Sequence, residues 1–301
     1  MRNKRVAVLT PTYHRAHTLP VLYQSLKEQQ IKDFRWIVVD DGSQDHTEEL
    51  IHQWKKEGLV DIFYLKKENG GKHTAVNLGM SIVQEDLVFL VDSDDYMTKD
   101  AIDIIIRYAD KYEGSREKKK LCGFCFLRYD SKGNVNVASF SEDEFIGNYI
   151  DTRINSGLGG DKAEVFYRDA LKEYPFIEYP GEKFMPEDAV WIAMSKKYNM
   201  VHANEKIYIC DYLENGLTKT GRRMKIYSPR GMMLRSKLFV NDSRVCIKIK
   251  IKMMLLYIIY SRFASITIKE AEKEINSKGL FYMLILPGML ICQKWKTEFK
   301  K

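Results

Sequence analysis

Cysteine is sparse in this 301-residue chain, and its placement excludes a disulfide framework. The five thiols, Cys122, Cys125, Cys210, Cys246 and Cys292, are too few and too scattered to staple a scaffold. Cys122 and Cys125 have CxxC spacing, but zinc would need a second pair. They sit inside the apolar run Leu121–Leu127, where buried thiols are ordinary core residues. A reducing cytoplasm is the simplest setting. Long hydrophobic runs are missing too. Met253–Tyr260 and Leu280–Cys292 fall short of the ~20 residues a spanning helix needs, and Pro287 interrupts the second. The basic start, Met1–Leu9, has too short an apolar stretch for a signal peptide, so the N-terminus is expected to be mature and cytosolic. Internal repeats and low-complexity linkers are absent.

Acid is nearly absent from one region. Between Lys219 and Arg262, Asp242 is the only carboxylate, set against Lys219, Arg222, Arg223, Lys225, Arg230, Arg235, Lys237, Arg244, Lys248, Lys250, Lys252 and Arg262. Twelve bases against one acid leave this region at +11, more than the +7 of the whole chain, and such a field suits an anionic membrane surface or a polyanion. The bland alternative is a helical subdomain with a solvated basic face. Its apolar stretches fit a lipid surface better than a nucleic acid, so no nucleic-acid partner is expected. Salt-sensitive DNA binding would argue otherwise.

What is present is a globular composition, 45% hydrophobic and 30% charged, with enough chain for one large domain and an appendage. The first part alternates strand and helix. Arg5–Thr10 reads as a buried strand bounded by Pro11, and a helix follows with Thr18 as cap, Pro20 in its first turn and Leu19, Leu22 and Leu26 on one face. Arg35–Val39, Asp61–Leu65 and Leu87–Val91 read as further buried strands. Helices are expected from Thr47 and over about Lys72–Val83. Near-continuous apolar strands alternating with helices predict a mostly parallel sheet covered on both faces. Ligands of such sheets bind at the carboxyl ends of the strands. Thr10-Pro11, Asp40-Asp41 and Asp92–Asp94 each lie at such an end, and their convergence points to a site.

After residue 113 the pattern loosens. Leu121–Arg128 and Val135–Phe140 can pair across the turn between them. Gly157–Gly160 precedes a helix, Pro186 opens another through Tyr198, and Lys206–Cys210 looks like a strand. The chain reads as one large domain over 1–215, with halves at 1–112 and 113–215. A basic, partly apolar helical region fills 216–301.

Three segments carry chemistry. Asp92, Asp94 and Asp95 repel one another unless a cation or hydrogen bonds compensate, and hard carboxylate oxygens suit Mg²⁺ or Mn²⁺ bridging a diphosphate. A bare acidic cluster, however, more often caps a helix. An EF-hand is excluded, because Tyr96 and Met97 stand where that loop needs an oxygen ligand and a glycine. Gly70-Gly71-Lys72-His73-Thr74 is not a Walker A motif, since His73 intervenes after the lysine, and a GxGxxG fingerprint is absent. Lys72 at a helix start can still meet a diphosphate. Glu187-Asp188 follows Pro186 at a helix start, where acids are common by the dipole alone. Its functional reading is a general base for a sugar hydroxyl.

Val6–Tyr13, Val38–Ser43 with Asp45 and Thr47, Asn69–Lys72 with Ala75 and Asn77, and Val91–Asp95 together resemble the family 2 glycosyltransferases in order and spacing. The likeness extends with less detail through Pro186–Asp188 and leaves out the tail. His14 departs from it, since the family often has asparagine there. The resemblance implies a GT-A fold, a nucleoside-diphosphate sugar donor, most often UDP, and inversion at the anomeric carbon. By position, Thr10, Pro11 and Tyr13 would wall the nucleobase and ribose. Asp41, or else Asp40, would read the uracil edge, with Asp40 otherwise ordering its loop. Lys72 would approach the diphosphate or base, and Asp92 and Ser93 the ribose and phosphate. Asp94 would ligate Mn²⁺ or Mg²⁺, with His202 completing the shell as a later histidine does in some relatives. Asp188, or Glu187 beside it, would be the base, the helix register deciding. The acceptor would be a glycan or lipid-linked saccharide in bacterial surface-polysaccharide synthesis, met at the inner face of the plasma membrane. Two other classes compete. A nucleotidyltransferase would release pyrophosphate, but the basic, glycine-rich N-terminal loop it needs is missing. A non-catalytic scaffold would not need Asp92, Asp94 and Asp188 intact.

Overall fold

The valine-rich run near the start becomes β1 (Val6–Thr12), buried along its whole length. In this computed structural model, which describes residues 5–135, 138–211 and 217–299, β1 lies between β2 (Phe34–Asp40) and β4 (Leu87–Leu90) and parallel to both. β3 (Ile62–Lys66) extends the parallel set beside β2. The crossovers contain α1 (Leu19–Lys27), α2 (Thr47–Glu57) and α3 (Lys72–Ile82). β1 does not stop before Pro11. Leu9 turns its carbonyl toward β4, accepting from Val91 N, and Pro11 two residues on turns to the same side. Since β4 pairing ends at Leu90, the missing N–H of Pro11 leaves no ladder bond unmade there.

Next come β5 (Tyr96–Met97), α4 (Ala101–Tyr112), β6 (Leu121–Tyr129), β7 (Glu144–Gly147) and a π-helical turn over Ile150–Asn155. β8 (Ala163–Tyr167), α5 (Arg168–Lys172), α6 (Asp188–Met194) and β9 (Asn199–Ile209) complete the set around the sheet. The order is β3-β2-β1-β4-β8-β6-β9-β5, with β7 also on β9. The expected parallel arrangement holds from β3 to β4. Beyond it the pairing is mixed: β8 is antiparallel to β4 and β6, β9 parallel to β6, and β5 and β7 antiparallel to β9.

Three local expectations change. The hairpin after β6 shrinks, among the described residues, to a Tyr129–Val135 bridge, and residues 136 and 137 lie outside them. β6 is buried over Leu121–Leu127 and pairs on both edges with β8 and β9 instead. The Gly157–Gly160 stretch leads into β8, whose Val165 and Phe166 suit a strand better than a helix. The helix after Pro186 ends at Met194, because Asn199 N donates to Lys120 O in the sheet and Ser195 O is taken by Arg244 Nη1.

The tail is helical, as expected: α7 (Leu217–Ile226), α8 (Pro229–Asn241), α9 (Ile247–Phe263), α10 (Ile268–Lys273) and α11 (Lys278–Glu298). Met232, Phe239, Met254, Tyr257 and Phe281 join the same apolar core as the sheet, so these helices pack on the sheet-bearing unit. The expected boundary at 215/216 begins within residues outside those described. No described helix is long and apolar enough to cross a membrane. Cys122 and Cys125 are buried strand residues, and burial pushes each thiol up to about 12, which makes them core residues and not zinc ligands.

Candidate active site

Register alone brings the three strand ends together. Thr12 lies opposite Asp40 and Leu9 opposite Leu90, so the segments after β1, β2 and β4 emerge side by side. Hydrogen bonds then tie them. Asp41 N donates to Thr12 O (2.8 Å), His14 N to Ser43 Oγ (2.9 Å) and Ala16 N to Asp45 Oδ2 (3.1 Å). Thr18 stands at the start of α1, yet its hydroxyl does not cap the helix; it donates to Ser93 O (2.9 Å) and binds α1 to the acidic loop. His14 has φ 53°, a left-handed conformation in which asparagine and histidine are both enriched. That backbone demand explains how histidine replaces the family's asparagine.

Thr10 is at the expected strand end, but its buried hydroxyl accepts from Trp36 Nε1 (3.0 Å) and so faces the core. Pro11 is buried, whereas Tyr13 is 45% exposed and free to meet a ligand. Asp40 orders its loop, accepting from Ser43 N (2.8 Å) and Tyr64 Oη (2.8 Å). Asp41 is more heavily engaged. Its Oδ1 accepts from Lys67 Nζ (2.9 Å) and Gly70 N (2.9 Å), its Oδ2 from Asn69 Nδ2 (2.9 Å) and Gly71 N (2.7 Å). Four donors fill a carboxylate's acceptor positions. Asp41 therefore braces the 67–71 loop, and the base-reading role expected of it has no lone pair to use.

That loop delivers Lys72. Gly71 before it has φ 99°, and a Cβ there would lie 2.0 Å from Lys183 O, so only glycine fits. Lys72 Nζ bonds Asp92 Oδ1 and, at 2.7 Å, Glu187 Oε1. One ammonium thus joins the acidic loop after β4 to the acidic pair before α6, 115 residues on from Lys72 to Glu187. Partial burial alone would lower the Lys72 pKa, but the two carboxylates hold it well above the usual lysine value.

Around Asp92 the charges alternate. The Arg128 Cζ lies 4.1 Å from the Tyr208 ring centroid, with Nη1 3.7 Å from both Asp92 Oδ2 and Asp95 Oδ2. Tyr208 Oη accepts from Asp92 N (3.0 Å) and donates to Asp95 Oδ2 (2.7 Å). Burial pushes Asp92 upward, but Lys72 and Arg128 prevail and hold its carboxyl below the usual range. Asp95 is raised to about 6, first by burial and then by the Asp92 charge. Ser93 is buried. Asp94 stands apart from this network, with Arg15 Nη2 at 3.3 Å.

Among the described residues no three acidic, histidine or cysteine side chains gather as a ready metal cage. Asp94 is a part-exposed carboxylate, a hard oxygen donor of the kind that suits Mg²⁺ or Mn²⁺. His202 does not fit. Its ring is fully buried in β9, stacked on Phe145 (4.9 Å) and edge-on to Phe140 (5.1 Å), with Nε2 against Thr152 Oγ1 (3.1 Å). Burial lowers its pKa to about 4, the state of a neutral core histidine. The ligand role assigned to it by resemblance is thereby corrected.

Glu187 and Asp188 face different partners. Glu187 meets Lys72, while Asp188 accepts from Arg235 Nε at both oxygens (2.7 and 2.8 Å) and from Nη2 at Oδ2 (2.5 Å). Arg15, Arg128, Tyr208 and Arg235 were not singled out in the sequence as site residues. Arg15 stands one residue past the Thr10–His14 segment, a local cue. Nothing local marks the others, which reach the site only through β6, β9 and α8.

Residues 7–118 match the family model described as "Glycosyl transferase family 2". This segment is a family 2 glycosyltransferase domain. A curated relative, poly(ribitol-phosphate) beta-N-acetylglucosaminyltransferase TarP of Staphylococcus aureus, is 33% identical over 107 residues, 35% of this chain and 33% of that protein. The chain thus spans about a third of TarP's length. GalNAc(5)-diNAcBac-PP-undecaprenol beta-1,3-glucosyltransferase of Campylobacter jejuni is 23% identical over 251 residues, 80% of this chain and 76% of that protein. Among solved structures, S. aureus TarS residues 1–349 with UDP-GlcNAc superimposes with a TM-score of 0.62 at 16% identity, covering 92% of this chain and 78% of that one. At that identity the likeness speaks for fold alone, and that fold is GT-A.

Proposed function

We propose that the strand-end site binds a UDP-sugar and transfers its sugar, with inversion, to a hydroxyl of a glycan or lipid-linked saccharide in surface-polysaccharide synthesis. The observation that carries this is Lys72, held between Asp92 and Glu187 where the strand ends open. It puts a cation beside the two acidic segments that a sugar nucleotide and its acceptor would meet. The names of the TarP and Campylobacter relatives support a hexosyl or N-acetylhexosaminyl donor group and, for the latter, an undecaprenol-linked acceptor.

In the proposed step the acceptor hydroxyl gives its proton to Asp188 as its oxygen bonds the anomeric carbon. The bond from that carbon to the phosphate oxygen breaks on the opposite face, and its electron pair leaves with UDP. Asp188 Oδ1 accepts a single hydrogen bond from Arg235 and so keeps a lone pair for the proton. Lys72 offsets negative charge building on the diphosphate. Tyr13 and Pro11 flank the base and ribose, with Asp92 and Ser93 toward ribose and phosphate. A Mn²⁺ or Mg²⁺ ion at Asp94 would add Lewis-acid charge stabilisation at the same diphosphate.

A thermal-shift screen of nucleotide sugars with Mn²⁺ tests the binding half. At a hundredfold excess over Kd, a ligand specific for the folded state adds about 2.7 kcal/mol, which is several degrees in Tm. UDP-sugars are expected to give that shift and EDTA to reduce it. A flat response to every UDP-sugar would refute the reading, and an undiminished shift in EDTA would refute the metal.

The tail supports a peripheral membrane position for this transfer. On α11, Tyr282, Met283, Leu286, Met289 and Leu290 are exposed at i, i+1, i+4, i+7 and i+8, with Leu286 and Leu290 each 73% exposed. Exposed Lys278 and Lys294 flank this stripe, the pattern of a helix lying in an anionic interface. The protein is expected to cosediment with phosphatidylglycerol vesicles at low salt. Leu286→Asp with Leu290→Asp should reduce the bound fraction at least tenfold. Absence of cosedimentation by the unaltered protein would remove the membrane from the account.

A further inference from the structure

α8 lies along the segment that leads into α6. Glu182 accepts from Arg230 N (2.8 Å) and Gly231 N (2.9 Å), which caps the first turn of α8, and Phe184 N donates to Ser228 Oγ (3.1 Å). At the other end of α6, Arg244 donates to Ser195 O (2.7 Å) and Ser195 Oγ (3.1 Å). Both ends of the segment bearing Asp188 are therefore held by the tail. Between them is the two-pronged contact of Arg235 with Asp188. The Arg235 guanidinium is itself fixed, 4.9 Å from the Phe239 ring centroid and with Nη1 3.6 Å from Met253 Sδ on α9. Glu187, the preceding residue, pairs with Lys72 instead.

We propose that Arg235 is a positioning residue for sugar transfer. It fixes the plane of the Asp188 carboxylate, so that the remaining Oδ1 lone pair meets the acceptor hydroxyl in one orientation. The C-terminal tail thereby becomes part of the catalytic unit. The inference rests on Asp188 as the base. A guanidinium suits this task because its planar fork sets carboxylate orientation, whereas a lysine ammonium offers a point charge. Base orientation matters because a misplacement of about 1 Å can cost roughly a hundredfold in rate.

The test measures UDP release, with water as acceptor, from the UDP-sugar giving the largest thermal shift, in the presence of Mn²⁺. Wild type is compared with Arg235→Ala, Arg235→Lys, Asp188→Asn and the Asp188→Asn/Arg235→Ala double variant. Arg235→Ala should lower kcat thirtyfold to a hundredfold at unchanged donor KM, and ethylguanidinium in the low millimolar range should recover at least a third of the loss on a log scale. Arg235→Lys should recover only part. The double variant should be no slower than Asp188→Asn alone, because the arginine acts only through that carboxylate. Arg235→Ala at wild-type kcat overturns the proposal, as does a loss shared by kcat and donor KM without guanidinium rescue. If Arg235→Ala does not fold, a folded Arg235→Lys with wild-type kcat overturns it instead. Asp188→Asn releasing UDP at the wild-type rate sinks the base assignment and this inference with it. Absence of UDP release by wild type sinks the transferase reading itself.

Discussion

Asp188→Asn is expected to reduce sugar transfer by about two to four orders of magnitude, the usual worth of a positioned general base, while leaving UDP affinity within threefold of wild type. The asymmetry follows from where the side chain stands. Asp188 bonds Arg235, and neither belongs to the Lys72–Asp92–Arg128 network at the strand ends where UDP is proposed to lie. Asparagine retains an oxygen for Arg235 but cannot take a proton at neutral pH. The pair is about four-fifths buried on both sides, so leaving the guanidinium with a neutral partner should also cost about 1–3 kcal/mol of stability. Kinetics on the folded variant, with Tm recorded alongside, separates the two effects. A variant that loses UDP affinity together with turnover would place Asp188 in the donor site.

The second large effect concerns backbone. Gly71→Ala places a methyl group 2.0 Å from Lys183 O and 2.6 Å from Lys183 C, at φ 99°. Neither atom belongs to a side chain that can rotate away, and the conformation is already unfavourable for an L-residue. A cost of about 3 kcal/mol or more follows, equivalent to a fall in Tm of roughly 6–12 °C. Function should fail further than stability, because the displaced segment connects Lys183 to Glu187, the partner of Lys72. Gly58→Ala is the matching control: φ is 69°, but nothing lies within 4 Å of the added carbon. It should cost about 1 kcal/mol and leave donor binding intact. Equal Tm for the two variants would contradict the close approach of the 67–71 loop to Lys183.

These two residues show why part of the site was legible in sequence and part was not. Strand ends can be read from apolar runs and the polar residues that terminate them, so the convergence of Thr10–Tyr13, Asp40-Asp41 and Asp92–Asp94 followed from alternation alone. Lys72 was legible as a helix-start cation, though not its bond to Glu187. Which carboxylates remain open was hidden. Asp41 looked like a ligand-reading acid, yet its four acceptor positions are filled by a loop some thirty residues on. His202 had the chemistry of a metal ligand, but β7 and β9 turn it toward Phe140 and Phe145. The basic tail was legible as a charged helical region. That one of its arginines turns inward to Asp188 depends on helix packing across 47 residues of chain, which no local pattern encodes. The mixed pairing beyond β4 was hidden for the same reason, since β8 and β9 choose partners by tertiary burial.

In the proposed reaction this site cleaves a UDP-sugar with Asp188 as the proton acceptor. The most direct measurement is the rate of UDP release from a panel of UDP-sugars with Mn²⁺, recorded side by side for wild type and Asp188→Asn at equal, donor-saturating concentrations. Wild type is expected to release UDP steadily from at least one sugar nucleotide, and the variant at least a hundredfold more slowly. Wild type that releases no UDP would rule out the transfer, and a variant that keeps pace with it would rule out Asp188 as the base.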